Sequence, residues 1–151
     1  MENALIAGGL LTLFVLPVYL FARRSQQKRK ALLADRLHLT LTRLNLELTR
    51  SEYIGTKMLA WDQPNRTLLY ADQNQPEVVV HDLKQAVRSY MIKSMNGTSV
   101  RSIILQIANQ QGKLLCSIPF FQQFSDNEMK LKLYEKQARE WEQLLNTHLV
   151  K

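Results

Sequence analysis

The pattern of hydrophobic and polar positions changes along the chain. Residues 4–22 contain no charged side chain, and five basic residues follow within the next eight positions. Short runs with a period of two then dominate, separated by clusters of polar residues, proline and glycine. The end of the chain returns to a period near 3.6. Because these periods are typical of strands and helices respectively, the sequence predicts an N-terminal helix, a β-rich middle and a C-terminal helix.

The uncharged segment has the length of a membrane span. Nineteen residues of α-helix measure about 28 Å, and the hydrocarbon layer of a bilayer is about 30 Å thick. A cleavable signal peptide fits less well, because no basic residue precedes this long apolar run. Residues 1–24 are therefore predicted to be a single transmembrane anchor. Its membrane-spanning residues include Ala4, Leu5, Gly8, Gly9, Leu11, Phe14, Pro17 and Leu20.

The basic cluster that follows the apolar run predicts an orientation. It consists of Arg23, Arg24, Lys28, Arg29 and Lys30. Under the positive-inside rule, the N-terminus lies outside and the C-terminal domain lies in the cytoplasm. The predicted location is the cell membrane (inner or plasma), with the lipid bilayer as a partner. The same five side chains are predicted to contact anionic lipid headgroups.

Residues 25–44 are predicted to be a basic amphipathic stalk. Leu32, Leu33 and Leu37 form a short apolar stripe opposite charged side chains, as in a surface helix. The period then changes, and leucines alternate with polar residues through residues 37–48. This alternation predicts two short pieces of half-buried strand at the entry to the next domain.

Residues 45–151 are predicted to be one β-rich domain. The dipeptide Asn96-Gly97 is typical of a hairpin, and Pro119 favours either an edge position for the strand that contains it or the end of that strand. The run Asp62-Gln63-Pro64-Asn65 is a strong turn signal. The predicted strands cover residues 53–61, 66–71, 77–81, 86–95, 100–108 and 113–121.

A C-terminal amphipathic helix is the clearest element of this domain. Ser125 and Glu128 have the spacing of a capping box, and Phe124 and Met129 have that of a hydrophobic staple. The predicted apolar face repeats at steps of three and four and consists of Leu131, Tyr134, Ala138, Trp141, Leu145 and His148.

Charge and cysteine content narrow the classes of function. The formal net charge is +7, of which residues 23–44 carry +6 and residues 45–151 only +2. A domain without a basic stripe is a poor nucleic-acid binder, so no nucleic-acid partner is predicted. The single cysteine, Cys116, lies in an apolar run and is interpreted as a small buried hydrophobe.

About seven short antiparallel strands followed by a helix with an inward Trp141 resemble the pleckstrin-homology-like fold. The resemblance covers roughly residues 45–149 and implies a curved, partly open barrel plugged by the helix. The predicted fold class is therefore α+β: one transmembrane helix, a short amphipathic stalk helix, and a PH-like antiparallel β-barrel or sheet closed by a C-terminal amphipathic helix. The alternative is another α+β domain, in which a single sheet carries the helix on one face.

Members of that family commonly bind phosphoinositides, peptides or other proteins and are rarely enzymes. Lipid-binding members share a basic pattern across the first hairpin, which Arg50, Lys57 and Arg66 do not reproduce here. The resemblance therefore implies an interaction domain and does not imply inositol-lipid recognition.

The sequence contains no recognisable catalytic motif. His38, His81 and His148 lie far apart and have no cysteine or carboxylate at ligand spacing. We therefore predict no metal site, no cofactor and no enzymatic activity, and the sequence identifies no small-molecule substrate.

The leading hypothesis is a non-catalytic, membrane-anchored adaptor or accessory subunit that binds other membrane-protein subunits. The alternative is a peripheral module that binds anionic lipid at the cytoplasmic membrane surface, and an enzyme domain is the third. Phe120 and Phe121 are candidates for a protein interface, with packing in the core as the competing interpretation.

Overall fold

The computed structural model describes the backbone of residues 2–149 and the side chains of residues 15–149. In this part of the chain, two long helices bracket seven strands, so the fold is α+β. The helices are α1, Glu2–Leu44, and α2, Leu131–His148, and a short 3-10 helix, Glu128–Lys130, precedes α2. The strands are β1, Arg50–Ile54; β2, Lys57–Asp62; β3, Thr67–Asp72; β4, Val79–Asp82; β5, Ala86–Asn96; β6, Ser99–Asn109; and β7, Leu114–Gln122.

The strands form two antiparallel sheets. Sheet A has the order β1-β2-β3-β4 and sheet B the order β5-β6-β7, so consecutive strands are neighbours within each sheet. Trp61 pairs with Leu68 in sheet A, and Ile107 pairs with Cys116 in sheet B. The predicted barrel or single sheet of about seven strands is thus corrected to separate sheets of four and three strands. Pro119 lies on β7, an edge strand of sheet B, as predicted.

The main core lies between the two sheets and α2. Burying a large apolar side chain contributes roughly 1.5–3 kcal/mol relative to leaving it in water. The bulkiest side chains in this core are fully buried: Trp61, Trp141, Phe120 and Phe121. The predicted α2 helix is confirmed, and its apolar face supplies Tyr134, Ala138, Trp141 and Leu145.

Glu52 on β1 holds α2 in position. Its Oε2 accepts a hydrogen bond from the Trp141 indole N–H at 2.7 Å, and its Oε1 accepts one from Gln137 Nε2 at 3.0 Å. The same Gln137 nitrogen donates to the Tyr53 carbonyl at 3.0 Å. The Arg50 guanidinium lies 3.5 Å from Glu52 and 5.3 Å from the centre of the Trp141 ring. Charge-assisted hydrogen bonds therefore join β1 to the middle of α2.

The C-terminal half of α1 packs on the outer face of sheet A. Leu33, Leu37 and Leu41 lie one turn apart on the same helix face and are buried. They form a second hydrophobic cluster with side chains from β2 and β3: Met58, Ala60, Leu69 and Ala71. Because α1 covers one face of the sheet and the main core covers the other, β2 is buried along its whole length.

The strand pieces predicted within residues 37–48 are wrong, because α1 continues to Leu44. Leucines at every second position fit a strand. Leucines at every fourth position, however, also fit one face of a helix. Packing against sheet A selects the helix, and it leaves Leu39, between two buried leucines, 69% exposed.

A C-terminal cap ends α1. Asn45 adopts the left-handed conformation, with a φ of 53°. The Leu46 N–H then donates to the Leu41 carbonyl at 2.9 Å, and the Asn45 N–H donates to the Thr42 carbonyl at 3.2 Å. This pair of bonds is the Schellman motif, which satisfies carbonyls that the helix itself leaves unpaired.

The predicted membrane anchor also requires correction. Among the residues whose side chains are described, no helix combines the length and the apolar character that a membrane crossing needs. The predicted transmembrane helix, and the cell-membrane location that depended on it, are therefore not supported. The side chains of Ala4, Leu5, Gly8, Gly9, Leu11 and Phe14 lie outside the described residues.

Residues 53–61 form part of a hairpin, where the sequence pattern predicted one strand. Gly55 and Thr56 connect β1 to β2. Gly55 has a φ of 61°, and a Cβ atom at this position would lie 2.9 Å from the Tyr134 hydroxyl oxygen. Both the backbone conformation and the close approach of Tyr134 therefore favour glycine. The remaining predicted strands agree with β3 to β7 to within two residues at each end.

The start of α2 differs from its predicted capping box. Asn127 caps the preceding 3-10 helix, with its Oδ1 accepting a hydrogen bond from the Met129 N–H at 3.0 Å. Phe124 and Met129 are 88% and 95% exposed, so they do not form a hydrophobic staple. Phe124 adopts a φ of 69°, which turns the chain before the helix begins.

Asp62 forms a buried anchor for the segment that joins α1 to sheet A. Its Oδ1 accepts from the Asn65 N–H at 3.0 Å. Its Oδ2 accepts from Asn65 Nδ2 at 2.7 Å and from the Glu47 N–H at 2.8 Å. Burial raises the pKa of the Asp62 carboxyl, but these hydrogen bonds lower it further, so the net pKa lies below its ordinary value.

We expect Asp62→Asn to reduce stability in a pH-dependent way. The folded-state pKa is lower than the unfolded value of about 4, so the stabilisation is present above pH 4 and is lost as the pH falls through the folded pKa. In either orientation of its amide, the variant places an N–H₂ against at least one N–H donor, and we expect a loss of about 2 kcal/mol at pH 7 that narrows towards pH 3. Urea unfolding at pH 7, 5 and 3 measures both effects. Asp82→Asn, at an exposed turn carboxylate, is the control, and parallel pH curves for Asp62→Asn and the original chain would contradict the prediction.

Candidate functional site

The N-terminal part of α1 exposes a dense set of apolar side chains. We call residues 15–30 the exposed arm. Between 45% and 77% of each large apolar side chain in its first half is accessible to solvent: Val15, Leu16, Val18, Tyr19, Leu20 and Phe21. Successive helical residues are rotated by about 100°, so these neighbours cover more than one face of the helix. The apolar surface of the arm is therefore broader than a single stripe.

The same helix is held firmly at the end of the arm and just beyond it. Leu33 and Leu37 are 1% and 2% exposed against sheet A. The Tyr53 hydroxyl donates to the Lys30 carbonyl at 3.2 Å, and Lys30 Nζ lies 5.4 Å from the centre of the Tyr53 ring. Arg36 Nη1 donates to the Gln75 carbonyl at 3.1 Å. Because α1 is one continuous helix, contacts over its C-terminal half hold the direction in which the arm projects.

The five basic residues predicted to contact lipid headgroups divide into two groups. Arg23, Arg24 and Lys28 are exposed on the arm. Arg29 and Lys30 lie where α1 meets the domain, and both line a cleft that also includes Tyr53. Contact of these side chains with headgroups stays a prediction.

No family model, curated protein or solved structure matches this chain. The resemblance to the pleckstrin-homology-like fold therefore stays a prediction. The candidate site is defined by the chain's own geometry.

The interface predicted from Phe120 and Phe121 is not found at the surface. Both side chains are buried, at 0% and 1% exposure, and Phe121 stacks on Tyr134 with ring centres 6.0 Å apart. They belong to the main core, where β7 packs against α2. The exposed aromatic of this corner is Phe124, which sequence analysis assigned to a buried staple.

The reactive side-chain types are placed where they pack or stabilise turns. Cys116 is buried, and burial raises the pKa of its thiol to about 12. Asp82, beside His81, accepts a hydrogen bond from the Lys84 N–H at 3.0 Å and so stabilises a turn. Within the described part of the chain, no three histidine, cysteine or carboxylate side chains converge as metal ligands. The distinctive surface of this protein is the exposed arm.

Proposed function

We propose that this protein is a non-catalytic adaptor or accessory subunit that binds another protein through the exposed arm of α1. The observation that carries the proposal is the contrast within one helix. Leu33, Leu37 and Leu41 are almost fully buried, whereas the large apolar residues from Val15 to Phe21 are largely exposed. Apolar surface concentrated at a projecting helix is typical of a binding element.

The distribution of exposed side chains supports a concave partner surface. Val18, Tyr19, Leu20 and Phe21 are consecutive and therefore point in four different directions around the helix. A flat surface would cover only some of them, whereas a groove or a set of helices would enclose them all. We therefore expect the partner to present an apolar groove.

Charge favours a different protein over a second copy of this chain. Five basic residues lie in positions 23–30, directly beside the apolar part of the arm. A parallel pairing of two arms would bring ten positive charges together, which is unfavourable. A partner with an acidic rim beside an apolar groove complements both features.

Site-specific photocrosslinking tests this proposal in the cell. A photoreactive phenylalanine derivative replaces Phe21 in the arm. In a matched control it replaces Leu39, an exposed residue of the C-terminal half of α1, which packs on sheet A. We expect one discrete heteromeric product from position 21 and none from position 39. Adding Val18→Asn and Leu20→Asn to the chain that carries the crosslinker at position 21 should abolish the crosslinked product, because these substitutions remove apolar contacts of the arm but leave the domain intact.

The mass of the crosslinked species decides between the outcomes. A product with twice the mass of this chain would indicate self-association and contradict the proposal. Equal crosslinking from both positions, or a product that survives the two Asn substitutions, would also contradict it. The partner identified in the specific product can then be purified and its affinity for the original and substituted chains compared.

A further inference from the structure

Four strands lie at the edges of the two sheets: β1 and β4 in sheet A, and β5 and β7 in sheet B. An edge strand presents backbone N–H and C=O groups that can pair with a strand of another chain. Proteins normally cover such an edge, interrupt it with proline or add charged side chains. The four edges of this protein differ in how far this protection extends.

Three of these edges are covered or interrupted by the protein itself. On β5, the Ser89 N–H donates to Asn146 Oδ1 at 2.7 Å, and Asn146 Nδ2 donates to the Ser89 carbonyl at 3.0 Å. On β1, the Tyr53 carbonyl accepts from Gln137 of α2 at 3.0 Å. On β7, Pro119 has no N–H to donate. Helix α2 and one proline therefore disfavour pairing at these three edges.

The edge formed by β4 has no such protection among the described residues. The Leu83 N–H donates to the Arg66 carbonyl at 2.8 Å, which fixes the alternation of hydrogen-bonded pairs between β3 and β4. By this alternation, the backbone groups of Val80 and Asp82 point away from β3. Within the described part of the chain these groups have no hydrogen-bond partner. They are therefore available to another strand.

Apolar side chains accompany these free backbone groups. Val79 and Val80 are 37% and 39% exposed. Val80 lies opposite Leu69, on the face of sheet A that α1 covers, and Val79 lies opposite Tyr70, on the face of the main core. Both faces of β4 thus present a half-exposed β-branched side chain. This combination is typical of an edge that pairs with another chain.

We propose that β4 pairs antiparallel with β4 of a second copy of this chain, about a two-fold axis at Val80. The four-stranded sheets of the two copies then form one continuous sheet. Val80 exchanges backbone hydrogen bonds with Val80 of the second copy, and Asp82 exchanges them with Val78 of the second copy. A two-fold dimer uses the same surface on both subunits, which a single free edge provides.

The edge is complementary to itself in side chains and in charge. On one face, the Val80 side chains of the two copies contact each other at the axis. On the other face, Val79 lies opposite His81 of the second copy. Burial lowers the pKa of His81, so its ring is neutral at pH 7. Antiparallel pairing also brings Lys84, which follows β4, beside Glu77, which precedes β4 of the second copy. These features favour a second copy over an unrelated strand.

This arrangement keeps the two exposed arms apart. Antiparallel pairing at an edge places the two-fold axis perpendicular to the sheet, and α1 packs along one face of that sheet. The axis therefore leaves both α1 helices on the same face and reverses the direction of one relative to the other. The two arms project in opposite directions, and each is free to bind a partner. The dimer and the proposed function of the arm are thus independent.

Sedimentation equilibrium of the full chain at about 5–500 µM tests the pairing. One short strand from each copy makes a small interface, so we expect a dissociation constant of about 10–100 µM. Val80→Pro removes an outward N–H but no bond between β3 and β4, and it should weaken the dimer by about tenfold or more. The matched control is Ser51→Pro, at an exposed residue of the β1 edge whose N–H also points outward. It should change the constant by less than about twofold.

A pair of oppositely charged variants tests the position of the axis without proline. Val80→Lys alone, or Val80→Glu alone, places two like charges directly opposite each other and should weaken the dimer by about tenfold or more. An equimolar mixture of the two variants places opposite charges there and should restore dimers. Hydrogen exchange of residues 78–82 in the original chain should also slow as its concentration rises, because pairing protects the outward amides.

Several results would overturn the proposal. The full chain could stay monomeric at about 500 µM, which would exclude the pairing. Equal effects of Val80→Pro and Ser51→Pro, or a mixture of the charged variants that stays monomeric, would assign any dimer to another surface. Dimers that Val18→Asn combined with Leu20→Asn abolishes would form through the arm, and that result would also contradict the proposed function. Loss of the β4 pairing by itself leaves the proposed function of the arm unaffected.

Discussion

Replacing Trp141 by Ala is expected to lower the free energy of unfolding by about 4 kcal/mol. The indole is fully buried in the main core, and its N–H donates to Glu52 at 2.7 Å. The substitution therefore creates a cavity beneath α2 and also removes the charge-assisted bond that joins α2 to β1. Small domains have a total free energy of unfolding of about 5–15 kcal/mol, so the variant loses a large part of its stability. Urea unfolding followed by circular dichroism at 222 nm measures the loss.

Two further variants separate the causes of this effect. Trp141→Phe retains most of the ring but removes the N–H, so we expect a smaller loss of about 2 kcal/mol. Leu133→Ala changes a half-exposed residue of the same helix and should cost less than about 1 kcal/mol. The prediction fails if Trp141→Ala unfolds within about 1 kcal/mol of the original chain.

Leu37→Asp is expected to detach the C-terminal half of α1 from sheet A. Leu37 is 2% exposed in the cluster with Met58 and Leu69. A carboxylate at this position would be buried without a partner, so we expect a loss of at least about 3 kcal/mol in helix docking. Release of α1 would expose the outer face of sheet A. Limited proteolysis and hydrogen exchange of residues 25–44 would then accelerate strongly.

Leu39→Asp provides a matched control two residues away. The same chemical change falls on a side chain that is 69% exposed, so docking should be preserved. We expect its proteolysis and exchange rates to stay close to those of the original chain. Equal effects of the two substitutions would show that α1 is not held by the packing described here.

Some strand pairings follow directly from local signals in the sequence. Asn96-Gly97 predicts the hairpin between β5 and β6, and Gly97 adopts the positive φ of 62° that such a turn uses. Pro119 predicts an edge strand because it has no N–H to donate. These features depend on a few neighbouring residues, so a sequence can specify them without knowledge of the rest of the fold.

The candidate site was harder to predict because burial depends on distant segments. Phe120, Phe121 and Phe124 lie close together in sequence, yet two are in the core and one is 88% exposed. The positive φ of Phe124 directs its side chain away from the core, and no local sequence pattern predicts this backbone conformation. The cleft between α1 and the domain is lined by Arg29, Lys130 and Gln137, which lie far apart in the sequence. It can therefore be recognised only in the folded structure.

The sequence by itself determined the C-terminal helix, the turns at residues 62–65 and 96–97 and the buried character of Cys116, because periodicity and turn chemistry are local properties. Only the tertiary structure decided that residues 37–44 continue α1, since leucines at 33, 37, 39 and 41 fit both a helix and a strand. The apolar face of sheet A settled that ambiguity by burying every fourth residue. The same packing decides where the exposed arm gives way to the C-terminal half of α1, which packs on sheet A.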